Sequence, residues 1–343
     1  MQPVISAALS TLEAAQLGEG RYARWLGKES ERRDADGATL NPYGCADAAN
    51  ILYTLGLFPA NLRERNEWVR TLQEMQDAES GLFHEGTHHT CHVTAHCTAA
   101  LELFDARPLY PLREWERLDA RGELERFLDE LDWEKDPWNA SHQGAGVYAA
   151  RVITGEASSE WETRYFAWLW READGVSGFW RRGTVGATGG ETKSGSGTKP
   201  LFHHLAGSFH YLFNHEHARR PLRFPEAMID SCLRIRRENL WPALATVVSF
   251  SDIDWVYCLT RAVRQCGHRF GEVHVALHEF AMDYCDFLSG LVRIAEERRT
   301  PPFEDMHMLF GALCALAELQ TALPGVIRTK NPLRLVLDRR PFI

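Results

Sequence analysis

The sequence predicts an all-α fold, a single domain that covers residues 1–343 and is built from repeated helical hairpins. Three observations support this prediction. Apolar residues recur with helical periodicity over most of the chain, alternating patterns typical of strands are scarce, and one short motif occurs twice. A hydrophobic content of 45% is typical of a globular protein.

The helical segments follow one another along the chain and end at recognisable stop signals. Residues 45–56 are small and apolar, and they end at Gly56 before a Leu-Phe-Pro sequence that prevents continuation. Several later segments are apolar almost all round, as expected of helices that are buried between other helices. The later segments are 94–104, 144–153, 202–213, 254–263, 273–295 and 306–323.

A repeated motif indicates that two helical hairpins share one design. Residues 77–86 and 174–183 have Asp, Ser-Gly, an apolar-aromatic pair and a final Gly at identical offsets. Each copy follows one helical segment and precedes another, which is typical of repeat architectures. The second copy continues into residues 186–200, whose content of Gly, Ser and Thr predicts a flexible loop.

The first copy of the motif resembles a turn of known toroidal enzymes. Residues 76–83, Gln-Asp-Ala-Glu-Ser-Gly-Leu-Phe, are similar to the Gln-x-x-x-Gly-x-aromatic turn of squalene-cyclase and prenyltransferase repeats, with one additional residue between Gln76 and Gly81. Related turns occur in six-hairpin glycosidases and polysaccharide lyases. The resemblance implies an α/α toroid, in which the hairpins close into a ring and the active site lies in the cavity at one end. It does not identify the reaction, because one fold hosts many reactions.

Charge and composition exclude several classes of partner. The net charge of −9, from 38 basic and 47 acidic residues, argues against a nucleic-acid-binding protein. The sequence has no apolar run of the roughly 18–20 residues that span a bilayer and no N-terminal signal peptide, so we predict a cytoplasmic protein without a membrane partner. The predicted partner is a small-molecule or oligosaccharide substrate, and the sequence leaves open whether the chain forms a homo-oligomer.

Histidines form the first group of candidate site residues. His92 and His96 lie four residues apart on one face of a helix that is predicted to begin near Thr90, and His88 extends that face at the helix entrance. Such a pair can bind a metal if a distant residue such as His204 or His210 supplies a third ligand. The alternative is that these histidines line a polar cavity and contact the substrate. We favour the cavity lining and predict no metal and no cofactor. His142, near another helix start, offers a similar polar group.

Carboxylates form the second group. Asp252 and Asp254 open a helical segment, where Ser251 or Asp252 is also a natural N-cap. Two carboxylates that share a site push their pKa values apart, so that one can serve as acid and the other as base. Asp47 lies on an otherwise small and apolar helix. It is expected to face a polar cavity or to pair with Arg or His, because an unpaired buried charge is costly.

Aromatic residues and an arginine form the third group. Trp180, Tyr211 and Trp255 lie near predicted junctions between loops and helices, where such rings stack on sugars in carbohydrate enzymes. Packing in the core is the alternative role of large aromatic side chains, and we expect it foremost for Trp180. Arg181 is a candidate clamp for a uronate carboxylate. The predicted substrate-binding groups are His96, His142, Trp180, Arg181, His204, Tyr211 and Trp255.

The toroid resemblance and the candidate residues together predict a carbohydrate-active enzyme, foremost a glycoside hydrolase that acts on an oligosaccharide, including one that carries a uronic acid. Asp254 is the predicted general acid, Asp252 or Asp47 its partner, and His92 and His210 orient the substrate. An inverting mechanism needs carboxyl groups about 6.5–9.5 Å apart. The alternatives are a polysaccharide lyase or sugar epimerase that moves protons with His and Tyr, a terpene-cyclase-like enzyme, and a toroid that binds its ligand without turnover.

Overall fold

A computed structural model describes residues 1–33, 39–185, 200–240 and 248–342. Regular structure in these residues is almost entirely helical, which confirms the predicted all-α class. No helix in the described part of the chain is long and apolar enough to cross a lipid bilayer. The predicted flexible loop at 186–200 lies outside the described residues, except for its last position, where a helix begins.

One small sheet interrupts the succession of helices in the described residues. Its two short antiparallel strands, Gln16–Gly18 and Arg21–Tyr22, lie near the N-terminus. The α-helices are α1 (Gln2–Ala15), α2 (Gly27–Arg33), α3 (Pro42–Thr54), α4 (Leu62–Glu74), α5 (Thr90–Leu103), α6 (Glu123–Glu130), α7 (Pro137–Thr154), α8 (Ser159–Glu172), α9 (Pro200–His217), α10 (Pro225–Arg237), α11 (Phe250–Cys266), α12 (Phe270–Arg298) and α13 (Met306–Ala322).

The odd-numbered helices from α3 to α13 form a series of inner helices. Each packs against the next member of the series, and α13 packs against α3. Their composition explains this position, because α3, α5 and α13 consist largely of small and apolar residues and are buried on nearly all sides. By contrast, α4 buries only a stripe formed by Trp68, Thr71 and Leu72. Such amphipathic helices cover the inner series on one face and meet solvent on the other.

Side-chain caps start the inner helices. Asn41 caps α3, Asp136 caps α7 and Asp305 caps α13, and each accepts a hydrogen bond from a backbone amide of the first turn. Proline follows the cap in α3 and α7, where its fixed φ and missing N–H are tolerated. These caps fix where the first turn of each inner helix lies.

The first turns of three inner helices lie ahead of the apolar segments. α5, α7 and α11 begin at Thr90, Pro137 and Phe250, before the segments that start at 94, 144 and 254, and the start near Thr90 that the pairing of His92 with His96 requires is confirmed. Polar side chains in these turns break the apolar pattern on which the prediction depends. The N-cap of α11 is accordingly Ser249, and the caps predicted at Ser251 or Asp252 are wrong.

The two copies of the repeated motif form the same turn. Oδ1 of Asp77 accepts hydrogen bonds from the amide and hydroxyl of Ser80, and Oδ1 of Asp174 accepts the same pair from Ser177. In each copy the glycine after the serine has a positive φ, +79° at Gly81 in the first copy. The motif is therefore a structural turn.

Each turn is fastened to the inner helix that follows it. The amide of Phe83 donates to Oγ1 of Thr94 in α5 at 3.0 Å, and the amide of Trp180 donates to Oγ of Ser208 in α9 at 2.9 Å. The repeat therefore sets the position of the two helices that carry His92 and His210.

The C-terminal segment returns to the inner helices after α13. A 3₁₀ turn at Val336–Asp338 packs against α3 and α9. Nδ2 of Asn214 in α9 donates to the carbonyl of Pro341 at 2.8 Å. Arg340 and Phe342 are buried, so this segment belongs to the core of the molecule.

Candidate functional site

Six histidines lie together among the inner helices, and we call them the histidine cluster. Ring centroids of His92 and His142 are 4.1 Å apart, and those of His142 and His210 are 4.4 Å apart. Phe342 of the C-terminal segment lies against His92, with ring centroids 4.8 Å apart. The members are His88, just before α5, with His92 and His96 of α5, His142 of α7, His210 of α9 and His307 of α13.

A chain of hydrogen bonds runs through this cluster. Oδ1 of Asp47 lies 2.9 Å from Nδ1 of His307, and Nε2 of His307 lies 3.4 Å from the hydroxyl of Tyr43. The same hydroxyl lies 2.6 Å from Nδ1 of His92. Asp47 also contacts Nε2 of His96 at 2.9 Å. A carboxyl group, three imidazoles and a phenol are thus connected across α3, α5 and α13.

Two triads in the cluster have the residue types of a metal site. The facing atoms of His92, His142 and His210 all lie within 4.8 Å of one another, and so do those of Asp47, His96 and His307. In the first triad, Nδ1 of His210 also lies 2.9 Å from Oγ of Ser141.

Burial shifts the titration of the cluster toward uncharged forms. Burial, with repulsion from neighbouring histidines, lowers the pKa of His92 and His142 well below the usual range. Burial also lowers the pKa of His210 to about 3, although backbone carbonyls oppose the shift. For Asp47, burial raises the pKa against the opposing effect of His96. We conclude that these imidazoles are neutral near pH 7 and that their unprotonated nitrogens are available to a ligand.

Charged side chains order the loop at the edge of the cluster. The Arg24 guanidinium contacts Glu85, Asp305 and Nδ1 of His88, each at 3.1 Å. Burial raises the pKa of Glu85, but the hydrogen bond from His88 and the charge of Arg24 outweigh it and bring the pKa to about 2. Arg24 also lies 4.7 Å above the ring of Tyr43. This ion-pair network holds Tyr43 and His88 in place.

The predicted residues Asp252 and Asp254 lie buried near the start of α11, with Asp252 in its first turn. Burial raises the pKa of Asp252 to about 7, and burial together with Asp252 raises the pKa of Asp254 well above its usual range. Oδ1 of Asp254 is buried without a hydrogen-bond partner among the described residues. Phe250 of the same turn stacks on His307 with centroids 4.2 Å apart, so α11 borders the cluster. The two carboxyl groups themselves form no described hydrogen bond to it.

Other predicted binding residues lie in packed surroundings outside the cluster. Trp255 is fully buried and donates through Nε1 to the carbonyl of Cys232, so the open stacking surface predicted for Trp255 is not found there. A buried indole N–H needs an acceptor, and the backbone of α10 supplies it. The side chain of Arg181 is engaged by Asp129 and Glu172.

Three further predicted residues pack together. Nε1 of Trp180 donates to the carbonyl of Leu169, and Nδ1 of His204 lies 2.7 Å from the carbonyl of Trp180. Tyr211 packs edge-on against Trp180, with ring centroids 5.6 Å apart. These contacts show that Trp180, His204 and Tyr211 are packed in the core. For Trp180, the sequence analysis expected such a packing role.

The structure brings together six predicted residues and adds four that the sequence analysis missed. The predicted ones are Asp47, His88, His92, His96, His142 and His210. The missed ones are Tyr43, His307, Arg340 and Phe342. His307 had a signal, since it follows a capping Asp in the first turn of an apolar helix. Arg340 and Phe342 had none, because the segment after α13 lacks periodicity.

Comparison with protein-family models, with curated proteins and with solved structures gives no match. The function therefore has to be inferred from the geometry of the cluster.

Proposed function

We propose that the chain is a carbohydrate-active enzyme with the architecture of an α/α toroid, and that the histidine cluster is its active site. The series of inner helices, which returns from α13 to α3, supports the ring. The similarity of the repeated turn to those of toroidal glycosidases and lyases supports the substrate class. The burial of so many polar groups in one place supports a site, because each of them costs free energy unless it is satisfied.

The reaction we infer is proton transfer at a sugar carbon, as in a lyase or epimerase that acts on a uronic acid. The hydrogen-bonded chain from Asp47 through His307 and Tyr43 to His92 carries this inference. Burial lowers the pKa of His92 and raises that of Tyr43, so His92 is a free base while Tyr43 keeps its proton. A base and an acid in contact are what removal and return of a proton require.

The charge around the cluster favours an anionic substrate. The guanidinium of Arg340 is buried, and its three nitrogens have no hydrogen-bond partner among the described residues. Burial lowers the pKa of Arg340 to about 10, which leaves it cationic at neutral pH. The N-terminal ends of α5, α7 and α13, with their positive dipole ends, meet at the same place. A uronate carboxylate is the sugar substituent that suits this positive electrostatic potential.

The test is product analysis with a panel of uronic-acid oligosaccharides in deuterium oxide and in water enriched in heavy oxygen. A lyase gives an unsaturated sugar without added water, and an epimerase incorporates deuterium on carbon. Tyr43→Phe should lower the rate by about 100- to 10,000-fold, because it removes the acid and keeps the ring. Tyr53→Phe, on the same helix but outside the cluster, is the matched control and should keep full activity. Equal rates for both variants would overturn the role of Tyr43.

Glycoside hydrolysis is the second candidate, and Asp254 favours it. A carboxyl group whose pKa is raised well above its usual range is a suitable general acid, and Asp47 offers a second carboxyl group. If heavy oxygen enters the new reducing end with wild-type protein but not with Asp254→Asn, the reaction is hydrolysis. Full activity of Asp254→Asn and Asp47→Asn would exclude it.

A further inference from the structure

We propose that His92, His142 and His210 bind one divalent transition-metal ion, with zinc as the ion that suits them best. This inference replaces the role of His92 as a free base, because an imidazole that binds an ion through Nε2 cannot also accept a proton there. Binding can be measured without turnover, so its failure is distinguishable from failure of the proposed reaction. The proposed site revises the sequence-based expectation of no metal. The three residues come from α5, α7 and α9, which are neighbours in the inner series.

The spacing of the ligand atoms suits a three-histidine centre. All three lie within 4.8 Å of one another. Zinc–nitrogen bonds of about 2.0–2.1 Å in a tetrahedral arrangement hold nitrogens roughly 3.4 Å apart, so small rotations of the rings close the difference. Three protein ligands leave the fourth position open for water or substrate, as in catalytic zinc sites.

The hydrogen bonds of the rings select the nitrogen that faces the ion. Nδ1 of His92 is engaged by the hydroxyl of Tyr43 at 2.6 Å, and Nδ1 of His210 by Oγ of Ser141 at 2.9 Å. Nε2 is therefore the nitrogen that both residues have available. Metal-binding histidines usually have such a partner on the second nitrogen, which fixes the orientation of the ring.

An unpartnered atom points to a missing ligand. Nε2 of His142 is buried and has no hydrogen-bond partner among the described residues. Buried polar atoms without a partner are rare in folded proteins, and each requires an explanation. A metal ion bound between His142, His92 and His210 supplies the partner.

The second triad is a weaker candidate, because its facing atoms already bind one another. Oδ1 of Asp47 contacts both His96 and His307 at 2.9 Å. His307 uses its other nitrogen on Tyr43. These residues therefore form an outer layer that orients Tyr43, which in turn orients His92.

The experiment is zinc titration of chelator-treated, full-length protein against a chromophoric competitor, with elemental analysis of the bound ion. Wild-type protein should bind one zinc ion per chain. His142→Ala and His92→Ala should each weaken binding by at least about 100-fold, since loss of a ligand exceeds the loss from an outer partner. Ser141→Ala should weaken it by about 10- to 100-fold.

His217→Ala is the matched control, because His217 lies on α9 together with His210 but is exposed and outside the cluster. It should keep wild-type affinity for zinc. Helical circular dichroism and thermal denaturation of the metal-free variants show that each is folded. Absence of zinc binding by folded wild-type protein overturns the proposal. So does undiminished binding by folded His142→Ala, or an equal loss in His217→Ala.

Discussion

At the scale of single residues, the buried carboxyl group of Asp252 carries a desolvation cost that exceeds the effect of its hydrogen bond with the backbone amide of Ser249. Ser249 already caps α11, so Asp252 is not needed as the cap. Only 3% of its surface is exposed, and burial raises its pKa to about 7 from an ordinary value of 3.8. A carboxyl group whose pKa is higher in the folded state than in the unfolded state contributes to the free energy of unfolding at pH values below its unfolded pKa. This contribution is lost as pH rises through the folded value.

Asp252→Asn should therefore stabilise the protein, and more so at higher pH. The gain should be small at pH 4, grow as pH rises to 7, and then level off near an upper limit of roughly 4 kcal/mol, from about 1.4 kcal/mol per pKa unit. Thermal denaturation at pH 4, 6 and 8 measures it. Asp286→Asn, on the solvent side of α12, should change the melting temperature little at any pH. A pH-independent effect of Asp252→Asn would contradict the assigned burial.

Candidate site residues could be chosen from the sequence by type, but their partners could not. His92, His210 and Asp47 stood out as polar residues on apolar helices, and all three lie in or beside the cluster. Their partners depend on how helices pack, so nothing local indicates that Tyr43 contacts His92 or that Ser141 contacts His210. Trp255 stood out as an aromatic residue near a helix start, but it is packed against α10, where its Nε1 donates to the carbonyl of Cys232.

At the scale of elements, the repeated turn depends on the left-handed glycine in its centre. Gly81 has a φ of +79°, and a Cβ atom there would lie 1.8 Å from the carbonyl oxygen of Pro111. The motif could be found in the sequence because this geometry demands glycine and because Asp and Ser close the turn. Helix starts were harder to predict, since the first turns of α7 and α11 have polar residues where apolar ones were expected.

Gly81→Ala should destabilise the protein by roughly 2–5 kcal/mol, as the sum of a left-handed backbone penalty and an overpacking penalty. Gly86 ends the same motif, and a Cβ atom there meets nothing within 4 Å. Gly86→Ala is therefore the matched control and should change stability by less than about 1 kcal/mol. Urea denaturation of both variants measures the difference. Similar midpoints for the two would mean that the turn is not held against Pro111.

At the scale of the whole molecule, burial of histidines throughout the inner helices links folding to pH. Burial lowers the pKa of His96, His204 and His215 to about 4 and that of His210 to about 3, and it also lowers those of His92, His142 and His307 well below their usual value. Their unfolded pKa is about 6.5. The unfolded chain therefore binds more protons than the folded one at moderately acidic pH. The buried carboxyl groups of Asp47, Asp252, Asp254 and Glu318, with raised pKa values, oppose this effect.

The histidines outnumber these carboxyl groups, so the free energy of unfolding should fall as pH decreases from about 6.5 to 4. His215 lies outside the cluster, and Nε2 of its buried ring has no partner among the described residues. His215→Gln should make the decrease shallower, by up to about 1.4 kcal/mol per pH unit in this window. Denaturant titrations at several pH values measure both slopes, with His268→Gln at the surface as the control. Stability that rises on acidification, or an unchanged slope in His215→Gln, would show that the buried histidines do not control the acid transition.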